Sequence, residues 1–402
     1  MKILMFGWEY PPHISGGLAT ACHGLVEALT KDGHRITFVM PKAQEEQNTD
    51  NFHLISASNI ILPPFPNTPT FSLVNEVIPF VDQGRFERVS DGKYNFSGAY
   101  GPNLMEEVYW LSIVASKLAI ELDFDVVHAH DWLTYLAGMV AKEISGKPLV
   151  VHMHATEFDR SAIINKQVYE IERQGMLAAD KVIAVSNLTR NVVIDKYHID
   201  PKKVVTTYNG VLQEKKLEVY EPMKLKEKIV TFLGRITYQK GPEYFIEAAE
   251  KVLTKNNNVR FVMAGSGDLM NKMVQLVASK RLSSKFNFTG FLTGSQVEHM
   301  FVQSDVFVMS SVSEPFGIVP LEAIRANVPV VISKQSGVAE VLPHALKVDY
   351  WDTDNLAEAI QGLLNHKTLA KHNRERNETT LKELTWDNAA QKVTDTYASV
   401  AQ

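Results

Sequence analysis

The stretch Ser313–Glu322, Ser-Glu-Pro-Phe-Gly-Ile-Val-Pro-Leu-Glu, lies between an apolar run of strand character, Asp305–Met309, and a predicted helix, Pro320–Ala326. Pro320 suits a first helical turn, where a missing backbone N–H costs little. Phe316-Gly317 is then the turn, with Gly317 letting backbone approach a ligand closely. Glu314 precedes the helix and Glu322 lies about one turn inside it. Carboxylates placed that way can hold two hydroxyl-bearing groups of one extended ligand. Between them the free N–H groups of the helix start, around Gly317 and Ile318, form an anion site. A sugar, a phosphate and a ribose in a row match that layout. The plainer reading carries equal weight on this stretch alone: an ordinary strand-to-helix turn, with Glu322 a solvated helix residue.

Upstream of this stretch the pattern alternates strand and helix. Ile229–Leu233 reads as a strand, followed by Gly234-Arg235 and by Lys240-Gly241 before a helix over Pro242–Leu253. An arginine at a strand end and a lysine at a helix start suit a diphosphate, each charge-assisted bond contributing about 1.5–3 kcal/mol. Two solvated basic side chains are the alternative. Val259–Ala264 is a strand ending in the tight turn Gly265-Ser266-Gly267-Asp268, and Phe286–Thr289 a strand followed by Gly290-Phe291-Leu292. The strand Pro329–Ser333 follows the acidic stretch. Asp352-Thr353-Asp354 has the D-x-D spacing of some metal-dependent transferases, but it precedes a periodic apolar helix, Leu356–Leu364, and reads as capping chemistry.

The N-terminal half repeats the theme. A strand over Lys2–Trp8 leads through Ser15-Gly16-Gly17 into a helix over Leu18–Lys31, with Gly33 at its end. Strand, glycine pair and helix start make a phosphate-cradle arrangement, although most glycine pairs before a helix are only tight turns. The dinucleotide fingerprint G-x-G-x-x-G is absent, which argues against a nicotinamide-dependent oxidoreductase, the reading from another enzyme class. Arg35–Pro41 is a second strand. Residues 42–102 are proline-rich around Leu62–Pro69 and lack a sustained period. They read as an insertion with short strands near an acceptor. After a helix over Asn103–Leu122, the strand Asp125–Asp131 ends in His128-Ala129-His130-Asp131, and Pro148–His154 ends in a second His-x-His. Two such pairs supply metal-ligand types, yet no third group of ligands is evident in the sequence. They read as polar strand ends lining a ligand cleft. Strands over Lys181–Ser186 and Lys203–Asn209 follow. Val211–Lys228, dense in Glu and Lys, reads as a linker, and Trp386–Val400 as a final helix with an apolar face.

At 402 residues, 45% hydrophobic and 22% charged, the chain is expected to be a soluble multidomain protein. Its net charge of −5 gives no electrostatic case for nucleic acid. The single cysteine, Cys22, reads as core filling and fits a reducing, cytoplasmic compartment. No apolar run approaches the ~20 residues of a membrane-spanning helix, which leaves peripheral membrane association open.

Glu-Pro-Phe-Gly followed by Glu322 resembles the acidic signature of retaining glycosyltransferases of family 4 and of the related bacterial glycogen and starch synthases. Gly234-Arg235 to Lys240-Gly241 resembles the family's G-R-x-x-x-x-K-G landmark, Gly265–Gly267 its G-x-G segment, and His154-Ala155-Thr156-Glu157 its H-G-T-(D/E) turn. His128–Trp132 is similar to the H-x-H-D-W segment of glycogen synthases. His13–Leu18 resembles their K-x-G-G-L loop but lacks the lysine. The resemblance implies an α/β fold of two doubly wound parallel-sheet domains facing a cleft, the glycosyltransferase-B arrangement. Residues 1–212 form the acceptor-side domain, 213–384 the nucleotide-sugar domain, and 385–402 a helix crossing back to the first.

The implied catalytic set is Glu314 on sugar hydroxyls, His154 reaching the sugar, and Arg235 and Lys240 on the diphosphate. Gly16, Gly17, Gly265, Leu292, Phe316, Gly317, Ile318 and Glu322 are the implied donor-binding residues, with the base near Leu292 and Glu322 on the ribose. His130 and Asp131 fall on the acceptor side. The expected partners are a nucleotide-sugar donor, UDP- or ADP-glucose, and an α-glucan acceptor, with no metal and no other cofactor. A lipid- or polysaccharide-directed transferase using another donor such as GDP-mannose is the runner-up, and a non-catalytic sugar-nucleotide or glucan-binding protein the reading outside enzymes.

Overall fold

The computed structural model describes residues 1–12, 16–62, 89–161, 163–211 and 226–401. Contacts divide the chain into two compact units. Unit 1 comprises Met1–Phe158, Ala162–Gly210 and Trp386–Gln402, and unit 2 comprises Asp159–Ser161 and Val211–Thr385. The expected linker falls mostly within 212–225, and the glycine-loop residues His13, Ile14 and Ser15 and the proline-rich 63–88 also lie outside the described residues.

Unit 1 is built on seven strands: β1 Lys2–Phe6, β2 Arg35–Met40, β3 Phe52–Ser56, β6 Val126–His130, β7 Leu149–Met153, β8 Lys181–Ala184 and β9 Val204–Thr206. A two-stranded antiparallel ribbon, β4 Val89–Ser90 with β5 Lys93–Tyr94, stands apart from the sheet. The sheet order is β3-β2-β1-β6-β7-β8-β9, every pair parallel. β1, β6 and β7 are buried along almost their whole length, as strands covered on both faces must be. β3 corrects the expectation for residues 42–102. Phe52–Ser56 is an edge strand of the main sheet, paired in register with β2, rather than part of an acceptor-side insertion. Its buried Phe52, Leu54 and Ser56 alternate with exposed His53 and partly exposed Ile55, and it sits next to a polar stretch, so no long apolar run announces it.

Unit 2 carries β10 Lys228–Leu233, β11 Val259–Ala264, β12 Phe286–Gly290, β13 Val306–Met309, β14 Val330–Ser333 and β15 Leu346–Val348. Its order is β12-β11-β10-β13-β14-β15, again all parallel. Phe245, Phe261 and Phe286 pack ring on ring in its core. In both sheets the order reverses beside the first strand, between β1 and β6 and between β10 and β13. Such a switch point leaves a crevice at the carboxyl ends of the strands, where open parallel sheets take ligands.

The final helix, Trp386–Ala398, belongs to unit 1. Trp386, Ala389, Ala390, Val393 and Tyr397 are buried, and the Trp386 indole packs on Gly24 of the helix Gly17–Lys31. Lys31 Nζ pairs with Asp387 at 3.1 Å, and His34 Nε2 bonds Thr394 Oγ1 at 3.0 Å. Among the described residues no helix is long and apolar enough to cross a membrane.

Candidate active site

The loops leaving β10 and β13, on either side of the unit 2 switch point, are laced together. The Gln239 carbonyl accepts from the amides of Val312, at 2.9 Å, and Ser313, at 3.4 Å. The Gln239 side chain accepts from Arg235 Nη2 at 3.2 Å. This lacing brings Lys240 to the acidic stretch, where its Nζ lies 2.5 Å from Glu314 Oε2, and Ser311 Oγ donates to the same oxygen at 3.2 Å. Both partners of the pair are largely buried, at 20% and 11% side-chain exposure, so water screens it far less than a surface pair. Arg235 remains exposed.

The backbone aims Glu314. Its amide donates to the Gln335 carbonyl at 3.0 Å and its carbonyl accepts from Gly337 at 2.9 Å. The turn that follows needs glycine. Gly317 has φ 101°, and a Cβ there would stand 3.1 Å from Glu314 Cγ. The helix Val319–Arg325 begins just after it, with Pro320 in its first turn. Among the described residues the amides of Gly317 and Ile318 donate to no protein acceptor, and no protein donor reaches the Glu322 carboxylate. Burial pushes the Glu322 carboxyl up, Arg325 draws it back down, and Glu298 adds to the rise. Here a carboxylate short of donors stands near amides short of acceptors, as a ligand with both hydroxyls and an anionic group requires.

Other expected donor residues sit differently. Phe316 is buried, and its carbonyl accepts from Val338 at 2.7 Å, so its ring is core rather than contact surface. Gly265 has φ 135° and gives its amide to the Gly290 carbonyl at 2.8 Å. A Cβ there would meet the Gly234 carbonyl oxygen at 1.8 Å, so the glycine seats β11 against the β10 loop. Leu292 is partly exposed after β12, two strands from the switch point, beside an exposed Phe291. Asp352 caps the helix Thr353–Asn365 by accepting from the Asn355 amide at 3.1 Å, and Asp354 pairs with Lys251 at 2.7 Å. The D-x-D is capping chemistry.

In unit 1 the switch-point residues are Gly16 and Gly17, which open the helix Gly17–Lys31, and His130 and Asp131, at the end of β6. Glu9, which the sequence reading passed over, lies under Gly16: a Cβ on that glycine would be 3.0 Å from Glu9 Oε2, and Glu9 Oε1 accepts from the Tyr100 hydroxyl. Asp131 holds a left-handed φ of 57°, uncommon for a residue with a side chain. Its Oδ1 accepts from the amides of His154, at 2.7 Å, and Ala155, at 3.3 Å, so it stitches the end of β6 to the end of β7.

The two His-x-His pairs correct an expectation. His128, His130 and His152 are buried rather than lining an open crevice, and only His154 keeps exposed surface. His130 Nδ1 and His154 Nε2 are 2.9 Å apart. The rings stack, 4.3 Å between centroids for His128 and His130 and again for His152 and His154. Burial and the neighbouring rings hold His128 down to about 3 and His130 and His152 well below the imidazole range. Burial lowers His154 as well, against an opposing pull from Asp131.

Two all-parallel units of this topology are those of the glycosyltransferase-B class of fold, which solved synthases of that class share with this chain. The chain matches the model described as Glycosyltransferase Family 4 over residues 15–214 and that of glycosyl transferases group 1 over residues 213–380, and it belongs to glycosyltransferase family 4. It is 29% identical to an uncharacterized glycosyltransferase of Methanocaldococcus jannaschii, covering 99% of this chain and 98% of the relative. It is 31% identical to the alpha-maltose-1-phosphate synthase of Mycolicibacterium smegmatis, over 69% of this chain and 79% of the relative. Among solved structures, the sucrose-phosphate synthase of Thermosynechococcus elongatus shares the fold, with a TM-score of 0.75 at 18% identity, covering 99% of this chain and 98% of that one.

Proposed function

We propose that this glycosyltransferase is a retaining hexosyltransferase that moves glucose from a nucleotide-diphosphate sugar to an α-glucan. The observation that carries the reading is the Lys240–Glu314 pair, 2.5 Å long and beside the unpaired amides of Gly317 and Ile318. Lys240, Arg235 and those amides take the diphosphate, and Glu314 accepts from sugar hydroxyls. Glu322, short of donors in the free protein, takes the ribose hydroxyls. In unit 1, His154, which keeps exposed surface, contacts sugar hydroxyls, and Asp131, which stitches the ends of β6 and β7, shapes the acceptor side.

In the step itself the acceptor oxygen bonds to the anomeric carbon on the face from which phosphate leaves. The bond from that carbon to the phosphate oxygen breaks, and the leaving phosphate takes the acceptor's proton. The charge that develops on the diphosphate is met by Lys240 and Arg235, so no metal is needed there. Glu314, already engaged by Lys240 and Ser311, positions the sugar and does not bond to it.

Glucose and a glucan are favoured by the His128–Trp132 segment, and glucose also by the maltose-1-phosphate synthase relative. A thermal-shift panel tests the donor, since a ligand that binds only the folded state raises stability by mass action. UDP- or ADP-glucose is expected to raise the melting temperature and GDP-mannose to leave it unchanged. A shift with GDP-mannose alone overturns the glucose reading.

A further inference from the structure

His128 and His130 stand two residues apart on one face of β6, and His152 is the register partner of His130 on β7. We propose that these three histidines form a binding site for a divalent transition-metal cation inside unit 1. All three are buried, at 0%, 0% and 2% exposure. Each offers a ring nitrogen, and these nitrogens lie within 4.8 Å of one another. Nε2 of His128, Nε2 of His130 and both nitrogens of His152 have no protein partner.

The hydrogen bonds of the remaining nitrogens fit the same site. His128 Nδ1 is 2.5 Å from the Tyr397 hydroxyl, and His130 Nδ1 is 2.9 Å from His154 Nε2. With the proton on Nδ1 in both rings, each donates to its outer partner and leaves an Nε2 lone pair that no protein group engages. That is how metal-bound imidazoles are held, with the second nitrogen donating to an outer partner that fixes the tautomer. His152, stacked on the His154 ring, has no hydrogen-bond partner on either ring nitrogen.

Three neutral imidazoles suit zinc, cobalt, nickel or copper rather than magnesium or calcium. Bonds of about 2.0–2.1 Å at tetrahedral angles put ligand nitrogens about 3.4 Å apart, so binding draws the rings together. It also tilts them out of their stack, whose interplanar angles are now 22°, 7° and 24°. Cys22, His130 and His154 form an overlapping set. That set fits less well, because its two imidazoles already bond each other, and burial beside Glu9 and Asp131 pushes the Cys22 thiol up. A cation on the three histidines would join β6 to β7 and, through Tyr397, hold the C-terminal helix. The site stands whether or not the glucan reading does.

The test uses the full chain, purified without a histidine tag, stripped with chelator and titrated with Co²⁺. Visible ligand-field absorption is expected to saturate at about one equivalent, native metal that survives stripping counting toward the same total, with a rise in melting temperature. His152→Gln is expected to abolish the absorption while keeping the circular dichroism of the wild type. Absence of bound metal in the wild type overturns the site, as does a full equivalent retained by folded His152→Gln. A thiolate charge-transfer band overturns the assignment by placing cobalt on Cys22. If His152→Gln does not fold, cobalt-edge X-ray absorption of the wild type decides: three imidazole ligands support the site, and fewer overturn it.

Discussion

Mild acid is expected to destabilise unit 1 strongly, through the buried histidines. Burial holds His128 down to about 3, with His130 and His152 also well below the usual value. In the unfolded chain each titrates near 6.5. A base held down in the folded state binds fewer protons there than when unfolded, so the unfolded chain gains protons first as the pH falls. The stabilisation is therefore complete above about pH 6.5 and is lost toward the folded-state values. For one such ring, moving from about pH 7.5 to about pH 5.5 costs about 1.4 kcal/mol. The three buried rings together cost roughly 4 kcal/mol, on the order of 10 °C in the melting temperature of a unit of this size. Carboxylates with ordinary values contribute little in that window. Thermal melts followed by circular dichroism, at several pH values with chelator present, measure the effect. A melting temperature that moves by less than about 2 °C would show that the folded rings take up protons as readily as free ones.

Lys240→Ala is expected to lower kcat by on the order of a hundredfold, more than it raises the donor KM, because its charge meets charge that grows as the glycosidic bond breaks. The same change leaves Glu314 with Ser311 as its side-chain partner, so the melting temperature should fall as well. Glu322→Ala is expected to do the opposite kinetically, raising donor KM with kcat nearly unchanged, since ribose hydroxyls develop no charge. A loss of kcat at unchanged KM in that variant would contradict the placing of the two carboxylates along the donor.

The alternation of apolar strands and periodic helices was legible because parallel strands buried on both faces leave long apolar runs, as in β1, β10 and β13. β3 was hidden because five alternating residues at a sheet edge carry little signal. Lys240 and Glu314 could be singled out by type and motif spacing, but their direct pairing could not. It depends on Gln239, an unremarkable position within the spacer, whose carbonyl accepts from the amides of Val312 and Ser313 in a loop far along the sequence. The histidine pairs were visible as pairs, while their burial was not, because it comes from groups distant in sequence, Tyr397 of the final helix against His128 and Phe38 of β2 near His130. The second His-x-His at the end of β7 was the signal that the pairs meet, since adjacent parallel strands bring equivalent positions side by side.

Transfer itself tests the central claim most directly. Wild type and Glu314→Gln are incubated with UDP- or ADP-glucose and an α-glucan primer, and the anomeric configuration of the new linkage is read by proton NMR. The expected result is an α-linked product from the wild type and a large loss of rate in Glu314→Gln with its fold intact. A β-linked product, or no transfer from either donor by folded wild-type protein, would contradict it.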